Sequence, residues 1–438
     1  LHDGLPRWPL RARWSPPARP LAPAASVRAA LADAALASTL PALLAAWNLA
    51  SDEAIARRYD HEVKGLSVIK PWVGVRQDVP STATVMRVRH HRPEGVVLAE
   101  GVHPFYSDLD THPMATACVD EAVRRLLCAG ARIDRISALD NFCWPDPVQS
   151  PKTPDGEHKL AQLVRCCEGL RAACEAFGVP LISGKDSMKN DAHLGGVKIS
   201  IPPTLLVSAI GQIDDVRRAL DLTPVAAGDR VYLLGTTRIE LGGSELARLR
   251  GLTLGGVPTT DLPAAAARYR ALAAARDAGL VRSAHVAGRG GLAVALAHMA
   301  LAGELGLAIE LAPVLADMSA RAGEAGPGDM SARAGEAGPE DSALATAAAL
   351  FGESTGRIVL TCAPARAAAL EAALAGHGLF ALGEVMPARA SGAPAPAVRG
   401  GLPPPGTGWL RICRAGQTLL EHDTQALRAA FQRRGDHV

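Results

Sequence analysis

Residues 181–190 read Leu-Ile-Ser-Gly-Lys-Asp-Ser-Met-Lys-Asn, with Gly184, Lys185, Asp186 and Ser187 in consecutive positions. These four residue types together can handle a phosphate. A glycine lets the backbone turn and lets a phosphate approach closely. Lys185 can neutralise phosphate charge, and Ser187 can donate to an anionic oxygen. Asp186 can hold a hard cation such as Mg²⁺, which takes one or two carboxylates together with phosphate oxygens. The apolar pair Leu181-Ile182, after Gly178-Val179-Pro180, reads as the end of a buried strand. The polar residues are then expected in the turn that follows. The Gly-x-x-x-x-Gly-Lys-Ser/Thr spacing of a P-loop is missing, and a plain polar turn between strands would use the same residues.

The elements that must position this stretch lie upstream. Ile136 to Leu139 is short and mostly apolar, as expected of a buried strand, and Asp140-Asn141 follows at its end, where ligand groups tend to project. Leu160, Leu163, Val164, Cys167, Leu170, Ala173 and Cys174 recur at helical spacing. They predict a helix from about Leu160 to Phe177, capped by Gly178. This strand–helix–strand path carries Asp140 and the Gly184–Ser187 turn toward one edge. A second helix is expected from the N-cap Thr111, with an apolar face of Met114, Ala117, Cys118, Ala122, Val123 and Leu126. Glu121 sits at the border of that face, the usual place of a snorkelling surface residue.

A chain of 438 residues has room for two to three domains. With 48% hydrophobic and 21% charged residues, it has the make-up of a soluble globular protein. A net charge of +2 and no long basic cluster argue against a nucleic-acid partner. The eight cysteines form no CxxC pair, which argues against a zinc site or a disulfide framework. Cys166, Cys167 and Cys174 read as small core residues on the expected helix, in a reducing cytoplasm. No long apolar run is free of charge and proline, so no membrane span is expected. The Arg- and Pro-rich N-terminus lacks a signal-peptide apolar core. Residues 317–339 carry a tandem duplication, Asp317 to Pro327 and then Asp329 to Pro339, expected in a surface loop. Pro387–Gly408 reads as a loose link to a final helix near Thr424–Phe431.

Several motifs occur in a fixed order: Tyr59-Asp-His-Glu-Val, Val119-Asp-Glu-Ala-Val, Leu139-Asp-Asn-Phe, Ile182-Ser-Gly-Lys-Asp-Ser, Ile201-Pro-Pro-Thr-Leu-Leu, Val231-Tyr-Leu-Leu-Gly and Glu240-Leu-Gly-Gly-Ser. From about residue 45 to 390 the chain resembles the synthetase subunits of phosphoribosylformylglycinamidine synthase, and specifically the second half of those internally duplicated chains. The resemblance implies an α/β fold of the PurM-like superfamily. An ATP-binding domain with a mixed sheet, helices on one side, would span 59–215, and a C-terminal α/β domain 225–390. Residues 1–58 would be a diverged remnant of a preceding domain, and 391–438 a loose linker with a terminal helix. In that superfamily two N-terminal domains pair so that their sheets close a barrel. A half-length chain is therefore expected to form a homodimer or to pair with a separate first-half chain.

The implied activity is a ligase step of purine synthesis. ATP phosphorylates the formamide oxygen of formylglycinamide ribonucleotide, and ammonia from a separate glutaminase subunit displaces the phosphate from the iminophosphate. By resemblance, Asp140, Gly184, Lys185 and Ser187 contact ATP, Ser187 also serves the substrate, and Glu121 and Asp186 hold Mg²⁺. No catalytic residue is assigned. Three departures stand against this pattern. Arg125 replaces a metal-binding asparagine, and Thr82-Ala-Thr, with Asp78 upstream, replaces an Asp-Ala-Ala-like segment. His285-Val-Ala-Gly-Arg-Gly-Gly lacks the aspartate and serine of His-Asp-x-Ser-x-Gly-Gly, although Gly290-Gly291 still suits a turn that opens a helix over Leu292–Met299. His90-His91-Arg92-Pro93 and Gly101-Val-His-Pro104 echo the family's catalytic histidine segment only superficially, and loop histidines of this kind are expected to be solvated. Glu353 and Arg357 suggest a local ion pair, or by resemblance a contact with substrate phosphate or the neighbouring domain. Gly242-Gly243-Ser244 suits an anion nest or, more simply, a helix N-cap at Ser244. Two other readings stay open: a non-catalytic nucleotide-binding half, and another PurM-like enzyme such as aminoimidazole ribonucleotide synthetase or selenophosphate synthetase.

Overall fold

The computed structural model describes residues 10–17, 21–58, 62–324, 342–389 and 406–433. Helix α1 spans Asp33–Leu44, and its Leu36, Leu40, Leu43 and Leu44 are fully buried. A first sheet follows: β1 (Ser67–Ile69), β2 (Thr84–Arg87), β3 (Gly95–Val102), β4 (Ile136–Cys143), β5 (Leu181–Ser187) and β6 (Thr204–Ile213). Their order is β1-β2-β3-β6-β4-β5. All neighbours are antiparallel except β4 and β5. A parallel pair needs a long crossover. Helix α3 (Gly156–Phe177) supplies it, with Gly178 as left-handed C-cap at φ 68°. Helix α2 (Thr111–Ala129) lies on the same face, and Met114, Ala117, Cys118, Ala122 and Leu126 are fully buried. Its approach to β3 depends on Gly101, where a Cβ would come within 2.0 Å of the Cys118 carbonyl oxygen. The opposite face of the sheet exposes Leu98 and Ile210.

The second sheet has seven strands: β7 (Arg230–Leu234), β8 (Ser283–Val286), β9 (Gly306–Glu310), β10 (Ile358–Cys362), β11 (Leu379–Met386), β12 (Trp409–Arg414) and β13 (Gln417–Asp423), in the order β8-β10-β7-β11-β9-β12-β13. Around it stand α4 (Glu245–Arg250), α5 (Leu262–Asp277), α6 (Gly291–Gly303), α7 (Ser342–Phe351) and α8 (Thr424–Gln432). Helix α6 is apolar on all sides and buried along nearly its whole length, as a central helix must be.

The architecture agrees with the expected pair of α/β units, and Ser244 caps α4 by accepting from Ala247 N at 3.2 Å. Several boundaries differ. Asp110, not Thr111, caps α2, its Oδ1 accepting from His112 N at 3.0 Å. The strand expected to stop at Leu139 runs to Cys143, so Asp140 is an interior strand residue. The turn expected at Gly184–Ser187 is strand β5, and β5 is an exposed edge: Ile182 is 66% exposed because nothing pairs beyond it. The second sheet continues past residue 390, because Trp409, Leu410 and Ile412 bury themselves beside β9. Residues 33–44, read as part of a remnant, pack into this unit against α8, β13 and α4. Of the three neighbouring cysteines only Cys166 is core, since Cys167 is exposed and Cys174 intermediate. The first duplicated copy begins inside a helix, Ala312–Glu324. The rest of the duplication lies outside the described residues, as do residues 59–61 and most of 387–408. Among the described residues, no helix is long and apolar enough to cross a membrane.

If α1 is integral, Leu40→Ala should cost about 2–5 kcal/mol, read as a lower urea midpoint at unchanged slope. An unchanged midpoint would show that α1 contributes nothing to the fold.

Candidate functional site

Two groups of polar residues emerge, and the structure keeps them apart. The first lies on the parallel pair β4–β5. Asp140 stands opposite Gly184, and Phe142 opposite Asp186. Alternation therefore puts Asp140 and Asp186 on the face that carries Phe142 and α3. The Gly184 position is tight for another reason than a turn: a Cβ there would meet Asp140 Oδ1 at 3.0 Å. Burial raises the Asp140 carboxyl above its ordinary value, its own backbone opposes this, and Asp186 adds repulsion. No lysine or arginine forms an ion pair with either carboxylate among the described residues. Lys185 and Ser187 sit opposite Asn141 and Cys143 on the other face, where Lys185 Nζ donates to Ser187 Oγ. The Gly-Lys-Asp-Ser run is thus split between two faces of an edge strand.

The second group lies in the seam between the two units, and Glu121 belongs here. It is buried on α2, with His103 Nε2 at 2.7 Å from its Oε2. Neither ring nitrogen of His103 has an aligned hydrogen-bond partner among the described residues. Burial would raise the Glu121 carboxyl, but His103, Arg125 and Arg289 together hold it well below the ordinary carboxylate range. Arg125 donates to Thr82 O at 2.7 Å and to Glu100 Oε1 at 2.5 Å. Glu121 therefore does not join Asp140 and Asp186; it lies among His103, Arg125 and Arg289 instead. His103, read from sequence as a solvated loop residue, is buried and stacks on Tyr106 at 4.7 Å. His90 and His91 are exposed.

A cavity of about 420 Å³ opens beside this group, its walls including Trp72, Glu121, Arg125, His285, Arg289 and His298. His285 Nδ1 lies 2.7 Å from Thr82 Oγ1. Burial pushes His298 down to about 4, and burial, His298 and Arg125 push His285 down as well. Although His298 keeps some surface, its Nε2 is fully enclosed without a partner. Asp78 is taken up structurally, accepting from Arg428 Nε of α8 at 2.6 Å.

Glu353 and Arg357 do not form the local ion pair read from sequence. Glu353 Oε1 accepts from Glu245 N at 2.9 Å and Gly290 N at 3.0 Å, and its Oε2 accepts from Tyr106 OH of the first unit at 2.9 Å. One carboxylate thus satisfies the N-termini of α4 and α6, where helix dipoles favour negative charge. Arg357 is fully buried and donates to Ser354 O and Gly352 O and to Thr237 Oγ1. No three His, Cys, Asp or Glu side chains converge as a metal set among the described residues. His103 stood out in sequence only as part of Gly101-Val-His-Pro104, and the fold brings it against Glu121.

Two mixed-sheet α/β units are joined by a polar seam. The family models for AIR synthase related protein match them in order, the N-terminal domain at residues 81–213 and the C-terminal domain at 226–393. The chain belongs to the AIR synthase related family. It is 36% identical over 277 residues to phosphoribosylformylglycinamidine synthase subunit PurL of Alkaliphilus metalliredigens, covering 63% of this chain and 35% of that protein. PurL of Methanocaldococcus jannaschii is 32% identical over 280 residues, covering 63% and 36%. The chain spans about a third of the length of these relatives. Among solved structures, Thermotoga maritima PurL complexed with FGAR superposes with a TM-score of 0.58 at 17% identity, over 89% of this chain and 53% of that one. T. maritima PurL complexed with ATP gives 0.52 at 16%, over 86% and 49%. At that identity the likeness concerns the fold.

The buried neutral imidazole makes stability pH-dependent. His298 is held below its ordinary 6.5, at about 4, so its contribution is complete above pH 6.5 and is lost as pH falls toward 4. The full loss is about 3 kcal/mol. His298→Leu should flatten the fall in unfolding free energy between pH 6.5 and 4, and an unchanged slope would refute the assignment.

Proposed function

We propose that this chain supplies a nucleotide-binding half of an ATP-dependent ligase that converts formylglycinamide ribonucleotide to its amidine in purine synthesis. The observation that carries the reading is the Asp140–Asp186 pair, two carboxylates on one face of an exposed parallel edge with no cationic partner among the described residues. Such a pair fits Mg²⁺, which binds through one or two carboxylates and phosphate oxygens. When bound, the ion would offset charge on the ATP phosphates. Asp140 and Asp186 would hold it, and the bare backbone of Gly184 leaves the edge open. Lys185 and Ser187 would meet phosphate or substrate oxygens from the other face of the strand. Positioning and charge neutralisation are the main demands of phosphoryl transfer. In the reaction the γ-phosphoryl group passes to the formamide oxygen. Ammonia then attacks the activated carbon, the C–O bond breaks, phosphate leaves, and the amidine C–N bond remains. The complexes of T. maritima PurL with FGAR and with ATP support these two ligands.

Ammonia would come from a glutaminase partner in the cytoplasm. The sheet face with Leu98 and Ile210 and the edge with Leu181 and Ile182 are exposed apolar surface of the kind that partners cover. We assign them to a second copy or to a separate first-half chain that completes a barrel. A stable monomer in analytical ultracentrifugation at micromolar concentration would sink this assignment.

A second reading, a half that binds nucleotide without turnover, is favoured by the seam. There Glu121 is faced by His103 at 2.7 Å, and Arg125 pairs with Glu100. Calorimetry separates the two. Mg·ATP or Mg·ADP should bind, and Asp186→Ala should weaken binding at least tenfold, about 1.4 kcal/mol. Exchangeable ATP supports the catalytic half, and tight, non-exchanging ADP the structural one. If Asp186→Ala binds as the wild type does, the edge is not the phosphate–metal site.

A further inference from the structure

The second unit holds another polar cavity, of about 220 Å³, whose walls include Arg238, Glu240, Thr260, Arg268, Thr355 and His377. None of its wall residues belongs to the β4–β5 edge or to the seam cavity. What marks it is a set of polar groups left without partners they could have taken from one another.

Glu240 is 5% exposed. Its Oε1 accepts from Thr259 N at 3.0 Å and Thr259 Oγ1 at 2.6 Å, but its Oε2 is enclosed without a partner. The neighbouring Thr260 Oγ1 is enclosed and unpartnered too. Burial raises the Glu240 carboxyl above its ordinary value, with Thr259 opposing. Leaving a buried carboxylate oxygen without a donor is costly.

Of the cavity's three arginines, Arg321 pairs with Asp317, and the other two lack a carboxylate partner among the described residues. Arg238 Nη1 reaches only the Thr259 carbonyl at 3.4 Å, and Arg268 Nε donates to the His377 carbonyl at 2.9 Å. Neither forms an ion pair with a carboxylate among the described residues, although Glu240 lines the same walls. Burial lowers the Arg268 guanidinium from arginine's ordinary value, as expected of a cation enclosed without a direct counter-ion. Glu240, Thr260, Arg238 and Arg268 line one cavity without pairing to one another, which suits a ligand that brings both an anion and hydroxyl donors.

We propose that this cavity binds a phosphorylated polyol. The phosphate would lie against Arg238 and Arg268, with Thr355 beside it, and a hydroxyl would donate to Glu240 Oε2 and accept from Thr260 Oγ1. A free sugar phosphate and a nucleoside monophosphate share this chemistry. The inference does not rest on nucleotide binding at Asp140 and Asp186, and either can fail without the other.

The test is calorimetric titration of the full chain with ribose 5-phosphate, glycerol 3-phosphate, AMP and inorganic phosphate. Ribose 5-phosphate should bind at least tenfold more tightly than inorganic phosphate. Glu240→Gln should abolish that tenfold preference while leaving inorganic phosphate unchanged, and Arg238→Met should weaken every phosphate ligand. Thr260→Val, a smaller perturbation, should reduce the preference in a protein whose melting temperature stays within a few degrees of wild type. AMP binding as well as ribose 5-phosphate identifies a nucleotide source, and AMP exclusion a free sugar phosphate. The proposal is overturned if ribose 5-phosphate binds no better than inorganic phosphate, or if Glu240→Gln and Thr260→Val leave the preference intact.

Discussion

The whole arrangement depends on one buried ion pair on α2. Asp120 is 0% and Arg124 1% exposed, and Arg124 Nε donates to Asp120 Oδ2 at 2.7 Å. Both groups then reach across the seam. Asp120 accepts from Gly356 N at 3.1 Å and from the Tyr269 hydroxyl, while Arg124 Nη1 donates to Arg357 O at 2.7 Å. Arg276 of α5 closes the far end by donating to Leu127 O at 2.7 Å and Ala131 O at 2.9 Å, carbonyls around the C-terminus of α2. A buried pair contributes little net stability over an apolar replacement, but removing one partner costs about 3–5 kcal/mol. Its value here is registry. With α2 fixed to the second unit by directional bonds, the first sheet cannot slide on the seam, and Glu121, one residue further along, is held against His103.

Local pattern carried most of the elements. The helix read from about Leu160 to Phe177 and its Gly178 cap, the glycine-opened helix at 291 and the Ser244 cap all follow from short-range rules. The misreadings share a cause, since each depended on a partner distant in sequence. Gly184 looks like a turn residue until β5 is laid beside β4, where its missing Cβ makes room for Asp140. Glu121 looks like a border residue until His103 folds over it. Glu353 and Arg357 lie one helical turn apart and suggest each other, yet helix N-termini and carbonyls from elsewhere satisfy them better. Residues 409–423 follow a Pro- and Gly-rich stretch and look peripheral, but the apolar side of β12 completes the sheet beside β9.

The candidate site was therefore legible as a set of residues and not as an arrangement. Asp140 and Asp186 came out as neighbours because a strand–helix–strand path dictates a parallel pair. That Lys185 and Ser187 face away from them follows from strand alternation, and a turn at Gly184 would have hidden it. The arginine at 125 was readable as a departure; its ties to Glu100 and the Thr82 carbonyl, which fix it beside Glu121, were not.

These two carboxylate groups reach electroneutrality in different ways, which separates their chemistry. Glu121 is compensated from within the fold by His103, Arg125 and Arg289, so a metal ion there would have to displace or out-compete fixed cations. Asp140 and Asp186 form no ion pair with a lysine or arginine among the described residues and sit on an edge with one strand neighbour. Repulsion between them persists until charge arrives from outside. An edge strand also leaves a row of backbone donors and acceptors unpaired. The same open edge thus carries both an unpaired carboxylate pair and unpaired backbone groups, so in the reading proposed here the cation and a partner would meet at one place.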